Sequence, residues 1–213
     1  MSYADENKEL AGKIKSMLNE FGIEVFLAHE DLPGGKGWED EIIKNIKKCD
    51  IFVAPLTKDF LQSAYANQEI GIAIAHFKKI IPLQVDAVPQ GFIKRFQSTR
   101  KLNQSRIEMF PIEFIKALNV DNKLKGKMID CLVGSFVKSS NFSDAKVRGM
   151  LLETCDGFSK ERVNKIVKAA PENDQVYKCF VVRERLLAFL ESYQRLISPD
   201  ILEQLKKEYE SGP

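Results

Sequence analysis

The chain has 213 residues, 44% of them hydrophobic and 29% charged, which suits one large or two small globular domains and excludes intrinsic disorder. Lys and Arg number 32 against 30 Asp and Glu, a formal charge of +2 that offers no basic footprint for nucleic acid. Two histidines (His29, His76) and four scattered cysteines (Cys49, Cys131, Cys155, Cys179) leave little room for metal centres or histidine-based catalysis.

From the N-terminus, Lys8 to Phe21 spaces Leu10, Ile14, Met17, Leu18 and Phe21 as one helical face, with Gly22 as its stop. The run 23–28 (Ile-Glu-Val-Phe-Leu-Ala) predicts a buried strand. Residues 29–37 hold Pro33, Gly34, Gly35 and Gly37, so a loop follows. Trp38 opens a helix whose apolar side is Trp38, Ile42, Ile43 and Ile46. Residues 51–56 predict a second strand, and 58–76 a helical stretch broken at Ser63, which can cap its second segment. Residues 80–85 predict a third strand. Strands alternating with helices over short connections predict a doubly wound α/β fold with a parallel sheet.

From about residue 119 onward only helical periods remain. Ser143, Ser159 and Ser198-Pro199 read as helix starts, and 156–157 and 171–174 as breaks. Tyr177, Phe180, Phe189 and Tyr193 read as core, and Lys123, Lys125 and Lys127 as a solvated face. The change of period places a boundary near residue 120, giving an α/β domain over 1–120 and a helical domain over 121–213.

No apolar run approaches the ~18 residues of a membrane span, and the polar start Ser2-Tyr3-Ala4-Asp5-Glu6-Asn7 does not read as a signal peptide. The expected setting is cytoplasmic, with reduced thiols and no membrane partner.

Two motifs carry candidate chemistry. The loop Asp31-Leu32-Pro33-Gly34-Gly35-Lys36-Gly37 leaves the carboxyl end of a predicted strand, the edge at which doubly wound sheets bind ligands. It lacks the Gly-Lys-Ser/Thr of a P-loop, and by itself reads as a surface loop in preference to a phosphate cradle. Tyr65 and Glu69 lie four apart on a predicted helix and share a face. The apolar sequel Ile70-Gly71-Ile72-Ala73-Ile74-Ala75 implies that this helix is largely buried, with its carboxylate at the polar end.

Taken in order, Ser2-Tyr3-Ala4, Val25-Phe26-Leu27, Glu30 to Gly35, Trp38 to Ile42, Asp50 to Val53, Leu56-Thr57, Ser63, Gln68 to Gly71 and Ile80 to Leu83 resemble a Toll/interleukin-1 receptor/resistance (TIR) domain. The resemblance implies a flavodoxin-like sheet. Asp31, Leu32, Pro33, Gly34 and Gly35 correspond to its BB loop, which serves assembly. Tyr65-x-x-x-Glu69 corresponds to its W-x-x-x-E motif, with tyrosine for tryptophan.

The resemblance further implies NAD⁺ cleavage at the nicotinamide–ribose bond in prokaryotic anti-phage defence or signalling, activated by self-association into a homo-oligomer. Glu69 would be catalytic, and Ser2, Tyr3, Ala4, Phe26, Trp38 and Tyr65 would contact substrate. Trp38 reads equally as a packing residue. NAD⁺ would be the substrate, with no further cofactor or metal, and the helical domain would serve a protein partner. A non-catalytic TIR scaffold is the alternative. The family's first strand precedes the Ser-Tyr pair, so that strand is expected to be largely missing from this sequence.

Overall fold

The computed structural model describes residues 1–31, 37–96 and 104–211. The chain divides into two compact units, Met1–Glu20 with Glu24–Phe114, and Phe21–Ile23 with Ile115–Pro213.

The first unit begins with an extended stretch and one 3₁₀ turn, then α1 (Lys8–Glu20), which buries Ala11, Ile14 and Leu18. A single turn, α2 (Ala28–Asp31), precedes α3 (Trp38–Lys48). Strand β1 (Ile51–Leu56) leads to α4 (Lys58–Gln62) and α5 (Ala64–Ala75), and β2 (Lys79–Gln84) follows. The two strands pair in parallel from Ile51↔Lys79 to Leu56↔Gln84. All but Ile51, Lys79 and Gln84 at the strand ends are buried, as expected of parallel strands covered on both faces. Phe52, Ala54 and Leu56 of β1 pack with Ile42 and Ile46 of α3, Phe60 of α4 and Ala66, Ile70 and Ala73 of α5.

The expected strand over 23–28 is not a ladder strand. Its Phe26 carbonyl accepts the Met1 amine at 2.9 Å instead of joining a ladder. Its end coils instead into α2, because the Asp31 carboxylate accepts the Leu27 N–H at 2.6 Å while the Asp31 N–H donates to the Leu27 carbonyl. A side-chain acceptor four residues on thus competes with ladder pairing. Other expectations are met closely. Gly22 takes φ +73° after α1, and Ser63 ends α4 and caps α5, its hydroxyl accepting the Ala66 N–H.

The second unit takes up the end of α6 (Phe110–Asn119) and continues as α7 (Lys125–Phe136), α8 (Phe142–Glu153), α9 (Lys160–Ala169), α10 (Asp174–Tyr177), α11 (Phe180–Ser192) and α12 (Pro199–Ser211). Its core includes Leu132, Phe136, Leu152, Val163, Leu186 and Leu190. Ser159 caps α9 as expected, but Asn141, not Ser143, caps α8: its side-chain oxygen accepts the Asp144 N–H. Arg148 is buried, donating to the Ser135 carbonyl at 3.0 Å, pairing with Asp144 at 3.4 Å, and lying over the Phe21 ring. Phe189 and Tyr193 stack with Phe158, but Phe180 opens α11 and is 62% exposed, so it is not core. Lys125 is not simply solvated either, since it pairs with Asp156.

Candidate functional site

The functional candidates gather at the carboxyl end of the strands. Thr57 follows β1 and caps α4, its hydroxyl accepting the Phe60 N–H at 3.0 Å. The same hydroxyl donates to the Asn7 side-chain oxygen at 2.5 Å, and the Asn7 amide reaches Asp59 at 3.3 Å. The segment Met1–Asn7 is thereby fixed across the end of β1, helped by the Ser2 N–H donating to the Val53 carbonyl. The Asn67 amide bonds the Leu61 and Ser63 carbonyls, holding the corner between α4 and α5 and so the first turn of α5.

These elements enclose a cavity of about 380 Å³. Ser2, Tyr3, Ala4, Trp38, Tyr65 and Glu69 all line it. The rings of Trp38 and Tyr65 meet edge to face at 6.0 Å and 74°, so Trp38 serves packing and lining together. Glu69 is half-buried one turn below Tyr65. The Ser2 hydroxyl is buried and makes no hydrogen bond among the described residues, an arrangement suited to a polar ligand.

Phe26 does not join this lining; its carbonyl holds the Met1 amine. Asp31 closes α2 and pairs with Lys15 at 2.6 Å. Burial acts to raise the Asp31 pKa, but the Leu27 N–H and Lys15 hold it below the usual carboxylate range. Leu32, Pro33, Gly34 and Gly35, the remaining BB loop candidates, lie outside the described residues.

Sequence reasoning missed Asp59, Glu6 and Asp5, which also line the cavity. With Glu69 they give four carboxylates against the Met1 amine, with no Lys or Arg among the described lining residues, a balance that favours a cationic group. Asp59 was within reach of a sequence signal: it sits in the first turn of a helix leaving the carboxyl end of a predicted strand. Burial lowers the pKa of the Met1 amine, opposed by Cys49, Glu69 and Asp31.

The TIR domain family model matches residues 1–109, about half of the chain. The chain belongs to the TIR domain family. The first unit is therefore a TIR domain of flavodoxin-like fold, and its function falls within TIR signalling or TIR-type NAD⁺ chemistry. No curated protein and no solved structure matches the chain. Among the described residues of the TIR domain and the helical unit, no helix is long and apolar enough to cross a membrane. No cluster of potential metal ligands occurs among them either.

Proposed function

We propose that the TIR domain cleaves NAD⁺ at the nicotinamide–ribose bond, with Glu69 as the catalytic residue, in a prokaryotic defence or signalling role. The observation that carries this reading is the cavity in which Glu69 shares walls with Ser2, Tyr3, Ala4, Trp38 and Tyr65. The bond to break joins ribose C1′ to a cationic pyridinium nitrogen. Its electron pair leaves with the nitrogen, so nicotinamide departs neutral and needs no general acid. The ribose gains oxocarbenium character, which a nearby carboxylate stabilises. Water then adds at C1′ and loses its proton to Glu69 or solvent, giving ADP-ribose; an internal nucleophile adding there instead gives a cyclic product.

The four carboxylates of the lining favour the cationic end of the substrate. Ser2, with its unused buried hydroxyl, is positioned as a hydrogen-bonding partner for a ribose or carboxamide group. Tyr65 and Trp38 supply flat aromatic surface at the mouth.

Nicotinamide release from NAD⁺ tests the reading. The full chain should turn over, concentration-dependently if self-association activates it. Glu69→Ala should lose about 10²-fold or more in kcat, the scale of removing a transition-state charge stabiliser. Equal turnover in both proteins would remove Glu69 from the chemistry. Absence of turnover in either, at high concentration and with the fold intact by circular dichroism, would leave the TIR domain as a scaffold.

A further inference from the structure

The cavity of the TIR domain is graded in charge from floor to mouth. Ser2 and Ala4 line it at 3% and 4% exposure, and neither side chain is charged. The Ser2 hydroxyl makes no hydrogen bond among the described residues, so the floor holds a buried polar atom that a ligand can satisfy. Asp5, Glu6 and Asp59 line the same cavity but are exposed, which places them at its mouth with the exposed Tyr65. Glu69 is half-buried, deeper than these three.

Asp59 is a positioned part of that mouth. Asn7 accepts the Thr57 hydroxyl at 2.5 Å and donates its amide to the Asp59 carboxylate at 3.3 Å. Thr57 in turn caps α4, the helix that carries Asp59. The Met1 amine also lines the cavity, but it donates to the Phe26 carbonyl and stands against four carboxylates.

This gradient bears on what a substrate can carry. The nicotinamide ring and its ribose are the reacting part and must lie beside Glu69, so whatever is attached to the ribose 5′ oxygen leaves through the mouth. A phosphate there meets Asp5, Glu6 and Asp59, and like charges repel. A cationic nucleoside without the phosphate meets only attraction. We infer that this cavity also takes and cleaves nicotinamide riboside, and that its acidic mouth, Asp59 foremost, selects the riboside over the 5′-phosphorylated nucleotide.

The inference rests on the NAD⁺-cleavage reading above and adds a second substrate class, N-ribosyl pyridiniums that lack phosphate. The step balances as it does for NAD⁺. The C1′–N bond breaks with its electron pair going to the nitrogen, and the oxygen of water bonds to C1′. The water proton passes to Glu69 or solvent, leaving ribose and neutral nicotinamide. Asp59 is a specificity residue in this scheme and takes no part in the bond changes.

Nicotinamide riboside and its 5′-phosphate, nicotinamide mononucleotide, differ only in the group that passes the mouth. Nicotinamide release from both, and from NAD⁺, measured as kcat/KM on the full chain at a concentration that turns over NAD⁺, tests the inference. At low salt the riboside should exceed the mononucleotide about tenfold, the scale of one phosphate facing several partly screened carboxylates. Added salt should narrow that ratio. Asp59→Asn should narrow it about threefold at low salt, and Asp59→Lys should bring it to parity or below. A merely structural role for Asp59 would lower both substrates alike and leave the ratio unmoved, which would overturn its assignment.

A mononucleotide cleaved as efficiently as the riboside would overturn the selection. Turnover of NAD⁺ with none of the riboside would overturn the second substrate. Either result leaves the NAD⁺ reading standing, whereas loss of turnover on all three substrates would remove both.

Discussion

The two units use their polar side chains in opposite ways. In the TIR domain Asp5, Glu6, Asp59 and Glu69 converge on one cavity at the end of the sheet. In the helical unit the comparable groups hold backbone together. Arg148 bonds the Ser135 carbonyl, the Asn173 amide bonds the Val137 and Ser139 carbonyls, and Arg162 pairs with Asp130 while reaching the Gly126 carbonyl. Convergent carboxylates repel one another and are costly unless a ligand or cation offsets them, whereas satisfied cross-helix bonds stabilise the bundle. The comparison sets a unit that gathers charge around a cavity beside one that spends it on its own backbone.

The largest expected effects would break that division if they crossed it. Glu69→Ala should abolish most nicotinamide release without moving the thermal transition. Phe136→Ala empties a fully buried site among the helices and should lower stability by about 3–5 kcal/mol while turnover persists under conditions where the protein remains folded. Chemical denaturation measured beside initial rates checks both. Loss of kcat in folded Phe136→Ala would show that the helical unit participates in the chemistry.

Arg148→Ala should follow at about 1.5–3 kcal/mol, the range for hydrogen bonds to a charged group, because it frees the Ser135 carbonyl and removes the cation over Phe21. Arg148→Met keeps much of the stem packing and should recover part of that loss on the same denaturation curve. Identical losses for both variants would place the whole contribution in the hydrogen bonds.

The sequence was most legible where local chemistry and tertiary need coincide. Ser63 could be read as a cap because a hydroxyl there satisfies an N–H whatever the surroundings. The strands over 51–56 and 79–84 were legible because burial on both faces demands continuous apolar runs. The run 23–28 has the same composition but no ladder, since pairing depends on neighbours that local sequence does not contain, and Asp31 offers Leu27 a nearer partner. Phe180 failed for a related reason: helical spacing marks a face but not whether the first turn is covered. At the site, spacing put Tyr65 and Glu69 on one helix face, where both line the cavity, but their candidacy came from the TIR resemblance and not from the spacing. The Thr57–Asn7–Asp59 contacts were not, because they join segments about 50 positions apart.

The smallest effect concerns pH, and it tests whether the polar groups of the helical unit are structural. The Arg162 guanidinium holds the Asp130 carboxyl below its ordinary range, outweighing the opposing effect of partial burial. Asp130 remains mostly exposed and Arg162 largely covered, so the pair is screened and contributes about 1 kcal/mol or less. A folded-state pKa below the unfolded value means that this stability is present above the unfolded carboxylate range. It fades as acid titrates the native carboxylate, in the window below about pH 4. Asp130→Asn should therefore lower stability slightly at neutral pH and converge with the wild type as pH falls through that window, measured by urea denaturation across the range. A gap that stays constant in acid would assign the loss to packing at Gly126 and Arg162 instead of to the ion pair, and would weaken the contrast between a unit that concentrates charge for a ligand and one that neutralises it internally.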